Sequence, residues 1–183
     1  MEIQNTGNTG NIEQLEKIYS DVSEWLKFLE LKHAGMLAAW IAVFVAIMSV
    51  ENTGEIISIM TIICLVGISL SIIPFCPFLN QNDLIKNICH KRYCKNVGKN
   101  PLFYKDIFVE SYTKNRRIDT LEKYKKMLEI ELGITVNTLS EEAYIAQIVD
   151  VSTVATIKAY WFNIVATYTF ICLLLCAILV TIA

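Results

Sequence analysis

The stretch Glu30-Leu31-Lys32-His33-Ala34-Gly35-Met36-Leu37-Ala38-Ala39-Trp40 decides the fold. Charged residues give way to apolar ones within it, and no proline or turn cluster separates them. Upstream, Ile12, Leu15, Ile18, Tyr19, Val22, Trp25, Leu26 and Leu29 recur at spacings of three and four, which marks a helix with one apolar face. Downstream, Ala34 to Val50 carries no charge. Residues 11–50 therefore read as one nearly continuous helix, about 60 Å long at 1.5 Å per residue. Its first part, 11–33, belongs in water and the remainder in a membrane.

Two more stretches lack any charge, Ile56 to Asn82 and Ala159 to Ala183. Each of the three reaches or approaches the ~20 residues that a helix needs to cross about 30 Å of hydrocarbon. The first is the shortest, and the stem of Lys32 extends its reach by snorkelling. A chain of 183 residues with 54% hydrophobic and 19% charged residues, gathered into blocks, is expected to be an all-α membrane protein with three transmembrane helices. Residues 34–82 form a helical hairpin turning at Glu51-Asn52-Thr53-Gly54-Glu55, and 159–183 form the third span. The second span ends at Pro74-Phe75-Cys76-Pro77-Phe78, where proline stops the helix and aromatic rings suit the interface.

All 16 basic residues fall before the first span or between the second and third. The positive-inside rule then puts the N-terminus and residues 83–158 in the cytosol, and the hairpin turn and C-terminus outside. The acid-rich first 33 residues lack the pattern of a cleaved signal peptide. Residues 1–10 read as a disordered tail. Asp83 to Val97 is a short basic helix, carrying Lys86, Lys91, Arg92 and Lys95 with Lys99 beyond it, suited to anionic headgroups. Residues 98–108 read as a loop with an unusual apolar load. Asp119-x-x-Glu122 has the form of a capping box for a helix ending near Gly133. Ser140-Glu141-Glu142 is expected to open the last helix. From Ala143 to Ile157 that helix carries only Asp150 as a charge, so it should be buried on more than one face, and it too runs into its span without a break.

No span holds Asp, Glu, Lys, Arg or His, which argues against an ion-coupled transporter. Metalloprotease, phosphate-loop and nucleophile-elbow motifs are absent, so no catalytic residue, metal or cofactor is assigned and the chain is expected not to be an enzyme. Cys89-His90-x3-Cys94 lacks a fourth ligand at a matching spacing. A nucleic-acid partner is not expected, because the basic segment is tied to the membrane.

Small residues mark a possible packing ridge. Ala34, Ala38, Ala42 and Ala46 recur every four residues on the first span, and Gly67 and Ser71 repeat the interval on the second. Two readings stand: packing within one subunit, or the seam of a homo-oligomer. Lys32 and Lys158 each immediately precede a span, either as snorkelling anchors or as cations at the mouth of the bundle. Asp150 lies two turns before Lys158, with an intrahelical or a pocket role open.

The chain resembles the transmembrane effectors of Pycsar, a bacterial antiphage system in which a cyclase makes cyclic CMP or cyclic UMP. The resemblance covers roughly Trp25 to Thr169. It rests on Glu30-x-Lys32-x-Ala34, on Asn100-Pro101-Leu102-Phe103-Tyr104-Lys105-Asp106-Ile107, and on Gln147 to Trp161. The SLATT membrane effectors share a similar plan. The resemblance implies an inner-membrane effector activated by a cyclic pyrimidine nucleotide that binds residues 83–158, the sensor region. It then oligomerises or rearranges, impairs the membrane and causes abortive infection. Under that reading Lys32, Lys105 or Lys158 meets the phosphate, Phe103 or Tyr104 stacks on the base, and Asn100 or Asp106 reads its edge. The alternatives are a constitutive scaffold that recruits a cytosolic partner through Leu102–Phe108, or a pore-forming effector of the SLATT type.

Overall fold

The computed structural model describes residues 6–49, 54–76, 83–94, 100–112 and 117–182. All regular structure among them is helical: α1 (Thr6–Met48), α2 (Glu55–Ile72) with a 3-10 turn at Ile73–Phe75, α3 (Asp83–Tyr93), α4 (Tyr104–Ser111), α5 (Arg117–Leu132) and α6 (Leu139–Ile182). The fold is therefore all-α. Three of the helices, α1, α2 with its 3-10 turn, and α6, are long and apolar enough to cross a membrane. The chain divides into two compact units. The first comprises residues 1–28 and 80–157, and the second residues 29–79 and 158–183. Helices α1 and α6 each contribute to both.

Several local expectations need correction. Helix α1 begins at Thr6, inside the stretch expected to be a tail. Each glycine there costs ~1 kcal/mol relative to alanine, but lengthening an existing helix needs no new nucleus. The apolar run after Pro101 is not all loop, since Tyr104–Ser111 is helical. Asp119 is the third residue of α5, not its cap. Tail residues 1–5, the hairpin turn at 50–53, Lys95 and Lys99 lie outside the described residues.

The first unit has its core where the spacing of α1 predicts it. Leu15, Ile18 and Val22 are buried, along with Ile107 and Phe108 of α4, Tyr124 and Leu128 of α5, and Ile145 and Ile148 of α6. Helix α5 stops at Gly133, whose φ of 69° is open to glycine at little cost. Its N–H and that of Ile134 then satisfy the carbonyls of Glu129 and Leu128. Helix α6 opens on Thr138 rather than Ser140. The Thr138 hydroxyl accepts the Glu141 N–H at 3.3 Å, and Glu141 Oε2 accepts the N–H groups of Asn137 at 2.8 Å and Thr138 at 2.9 Å. That is a reciprocal capping box, and it leaves the Glu141 carboxylate buried.

The second unit is organised by Trp40 of α1. Its ring lies against Gly67 of α2 so closely that a Cβ there would sit 2.5 Å from ring carbons. It also packs at 5.6 Å on Tyr168 of α6, and its indole N–H donates to the Thr169 hydroxyl at 3.2 Å. The Tyr168 hydroxyl donates to the Ile63 carbonyl of α2 at 2.9 Å. Three apolar helices are thus joined through one aromatic pair, with every buried polar atom of that pair matched.

Two outcomes follow. Gly67→Ala should lower the thermal stability of the detergent-solubilised protein by ~1–3 kcal/mol through overpacking. Gly35→Ala, with nothing within 4 Å of its Cβ, should not lower it. Equal effects in the two variants would refute the Trp40–Gly67 contact. The second outcome concerns acid. Burial alone would raise the Glu141 carboxyl, but its hydrogen bonds from Asn137 and Thr138 outweigh that and hold it below the usual glutamate value. A depressed carboxylate contributes stability above its unfolded pKa, about 4.3, and loses it as pH falls through the lower folded value. Glu141→Gln should therefore flatten the acid side of the stability profile, as read by circular dichroism.

Candidate functional site

In the first unit, Asn100 to Asp106 fold into a closed turn. The Asn100 side-chain oxygen accepts the Leu102 N–H at 2.9 Å, mimicking a backbone turn. The Asn100 N–H donates to Asp106 Oδ2 at 3.1 Å. The Pro101 carbonyl accepts the buried Tyr124 hydroxyl at 3.0 Å, which anchors the turn to α5. Phe103 then stands at the N-cap of α4 in an extended conformation. The oxygen atoms of Asn100 and Asp106 named here hold the turn together, so a ligand meets them already engaged.

Around this turn lies an aromatic cluster. The Trp25 ring of α1 packs on Phe28 at 5.9 Å, Phe103 at 6.1 Å and Tyr104 at 5.8 Å, and Phe103 and Tyr104 lie 4.9 Å apart. The Lys105 ammonium sits over three rings, at 5.0 Å from Tyr93, 5.6 Å from Tyr104 and 5.9 Å from Phe103. Each such contact stabilises a cation through the negative face of the ring. Burial lowers the pKa of Lys105, while the neighbouring Asp106 carboxylate opposes the shift. Burial pushes the Tyr104 phenol up to about 12, and the nearby Tyr93 adds to it. The turn thus brings one half-buried cation, several π faces and a carboxylate into a small space.

Asp150 belongs to the same unit but is exposed on α6. Lys32 and Lys158 belong to the second unit. Lys158 is only 7% exposed. Its ammonium pairs with the Glu30 carboxylate of α1 and lies 5.8 Å over the Phe75 ring at the end of the 3-10 turn. The carbonyl of Lys158 accepts a hydrogen bond from His33 Nε2 at 2.9 Å. A carbonyl can only accept, so the proton resides on Nε2. The His33 ring meets Phe75 and Phe162 edge-on, and the Lys32 ammonium lies 5.2 Å over Phe162. Lys158 is thus a committed partner within the bundle, and an incoming anion would have to displace Glu30.

The small residues separate into two groups. Gly67 and Ser71 are buried inside the unit, and the Ser71 hydroxyl donates to the Gly67 carbonyl at 2.8 Å. Ala34, Ala38, Ala42 and Ala46 are all exposed on α1, away from Trp40 and Ile47, which face inward. An apolar cavity of about 230 Å³ beside Trp40 exposes no polar lining, and a nucleotide does not match its chemistry. Cys89 is fully buried, with its thiol pushed up to about 12 by burial against the opposing effect of Arg92, whereas Cys94 is exposed. Among the described residues no group of three His, Cys, Asp or Glu side chains comes together as a metal site.

Glu30, Trp25, Tyr93 and Phe75 were not singled out by the sequence as site residues. Their partners lie far off in the chain, and no spacing rule joins Glu30 to Lys158. The pair makes an asymmetric prediction. Glu30→Gln strands a buried ammonium and should cost ~1–2 kcal/mol, below the 3–5 of a fully buried pair because Glu30 is half-exposed. Lys158→Met leaves a carboxylate that water can reach and should cost less. Thermal unfolding in detergent micelles measures both, and the reverse ranking would refute the assignment.

No curated protein and no solved structure matches the chain. The Pycsar effector protein domain, PycTM, matches residues 14–183, which includes the aromatic turn, the Glu30–Lys158 pair and all three apolar helices. The chain belongs to the Pycsar effector family, as a membrane protein of antiphage defence.

Proposed function

We propose that the first unit is a cytosolic sensor for a cyclic pyrimidine nucleotide, cyclic CMP or cyclic UMP, supplied by a cognate cyclase. On binding, the chain oligomerises or rearranges and impairs the bacterial inner membrane, causing abortive infection. The positive-inside distribution of Lys and Arg supports a cytosolic first unit, with the C-terminus outside. The observation that carries the sensor reading is Lys105 among the rings of Tyr93, Phe103 and Tyr104. A cyclic mononucleotide offers one negative phosphate and one flat base, which this combination of ammonium and π faces complements. Phe103 is half-buried, so its ring can turn to meet a base without opening the core.

Helices α1 and α6 supply the link between recognition and membrane, because each contributes to both units. A ligand shifts two states only by binding one better, and a hundredfold preference corresponds to about 2.7 kcal/mol. The exposed Ala34, Ala38, Ala42 and Ala46 ridge supports a homo-oligomer seam, since small residues let membrane helices approach closely. The exposed Leu102 at the same turn favours a second reading, a scaffold that docks a cytosolic protein there without nucleotide.

Titration of the detergent-purified protein with cyclic CMP, UMP, AMP and GMP should give binding to a pyrimidine ligand. Lys105→Ala should weaken it by about tenfold or more, in line with a charge-assisted contact worth 1.5–3 kcal/mol. A membrane-potential dye in cells co-expressing the cyclase should report depolarisation that Lys105→Ala suppresses. Absence of binding to all four nucleotides, with a stoichiometric protein partner recovered instead, would favour the scaffold.

A further inference from the structure

We propose that the outer face of α3 docks on an anionic lipid bilayer. Within the first unit, α3 turns Cys89 and the half-buried Tyr93 inward. Away from them, residues 84, 88 and 91 share one face at helical spacing, with Arg92 at its edge, one turn on from Cys89. Leu84 is 67% exposed and Ile88 41%, and Lys91 and Arg92 are exposed beside them. No acid lies on that face, and none occurs from Leu84 to Lys105. The single acid of α3, Asp83, sits in its first turn, where the helix dipole favours it.

Two aliphatic side chains next to two cations fit a boundary between hydrocarbon and phosphate. Such a face lies in the membrane interface, with the aliphatic groups towards the acyl chains and the cations towards anionic headgroups. Charge and tethering select this partner over others. A second copy would present the same cations and repel. The bilayer is tied to α3 by the chain itself, because α3 opens at Asp83, only eight residues after the apolar helix ends at Phe75. Eight residues reach at most about 28 Å. A partner held that close needs little intrinsic affinity to be bound. The inference is independent of nucleotide sensing and concerns the chain at rest.

The test uses the full chain with a nitroxide at Ile88→Cys and the exposed native thiol removed by Cys94→Ser. The protein is reconstituted without nucleotide into vesicles of phosphatidylcholine alone or with one-third phosphatidylglycerol. Anionic vesicles should raise label collisions with oxygen and lower those with a water-soluble nickel chelate. Lys91→Gln with Arg92→Gln should shift the docked-to-undocked ratio by roughly thirtyfold, the equivalent of about 1 kcal/mol for each cation. High salt should give the same reversal without substitution, which separates screening from misfolding. A label equally open to water in both vesicle types would overturn the proposal. So would dipolar broadening between labels that ignores lipid charge, which would mean that a second copy covers the face.

Discussion

A missing side chain on α2 makes room for a tryptophan of α1. Gly67 offers Trp40 a place that even a methyl group would deny it, and the rest of the apolar unit is arranged around that fit. Lipid tails are as apolar as leucine, so hydrophobicity alone does not hold membrane helices together, and close packing with matched polar atoms must do so. Trp40 supplies both. Its ring meets Gly67 and Tyr168, its N–H finds Thr169, and Tyr168 in turn reaches an α2 carbonyl. The Ala ridge of α1 is left facing outward, together with Ile41, Val43 and Val45.

A second constraint applies where α1 and α6 leave the polar unit. A lysine buried at Lys158 needs compensation, and the Glu30 carboxylate and the face of the Phe75 ring provide it. These contacts all lie in the apolar unit, which begins at Leu29 on α1 and at Lys158 on α6. The polar unit keeps its own cation, Lys105, in a different way. There the compensation comes mostly from ring faces, and burial costs the charge some of its basicity.

Much of this was legible in the sequence, because uncharged runs and helical periodicity leave few alternatives. The inward face of α1 at Leu15, Ile18 and Val22 follows from spacing alone, whereas the grouping of Asn100 with Phe103, Lys105 and Asp106 comes only with the resemblance to the Pycsar effectors. Helix α4 escaped notice because eight residues give barely two turns of periodicity and a proline precedes them. The capping box Thr138-Leu139-Ser140-Glu141 was readable as Thr-x-x-Glu, but the more conspicuous Ser-Glu-Glu run beside it drew the assignment two residues too far. The Glu30–Lys158 pair and the outward direction of the alanines could not be read. Both depend on which residues of distant helices meet, and no local pattern encodes that.

Helix α6 runs from Leu139 to Ile182 without a glycine or a proline. Sharp kinks in helices arise at proline, at glycine–serine pairs, or where something enters the hydrogen-bond ladder. The bends open to this helix come instead from Ser152, Thr153, Thr156, Thr167 and Thr169, whose hydroxyls each bond the carbonyl four residues back, so bending is spread over many positions rather than set at one hinge.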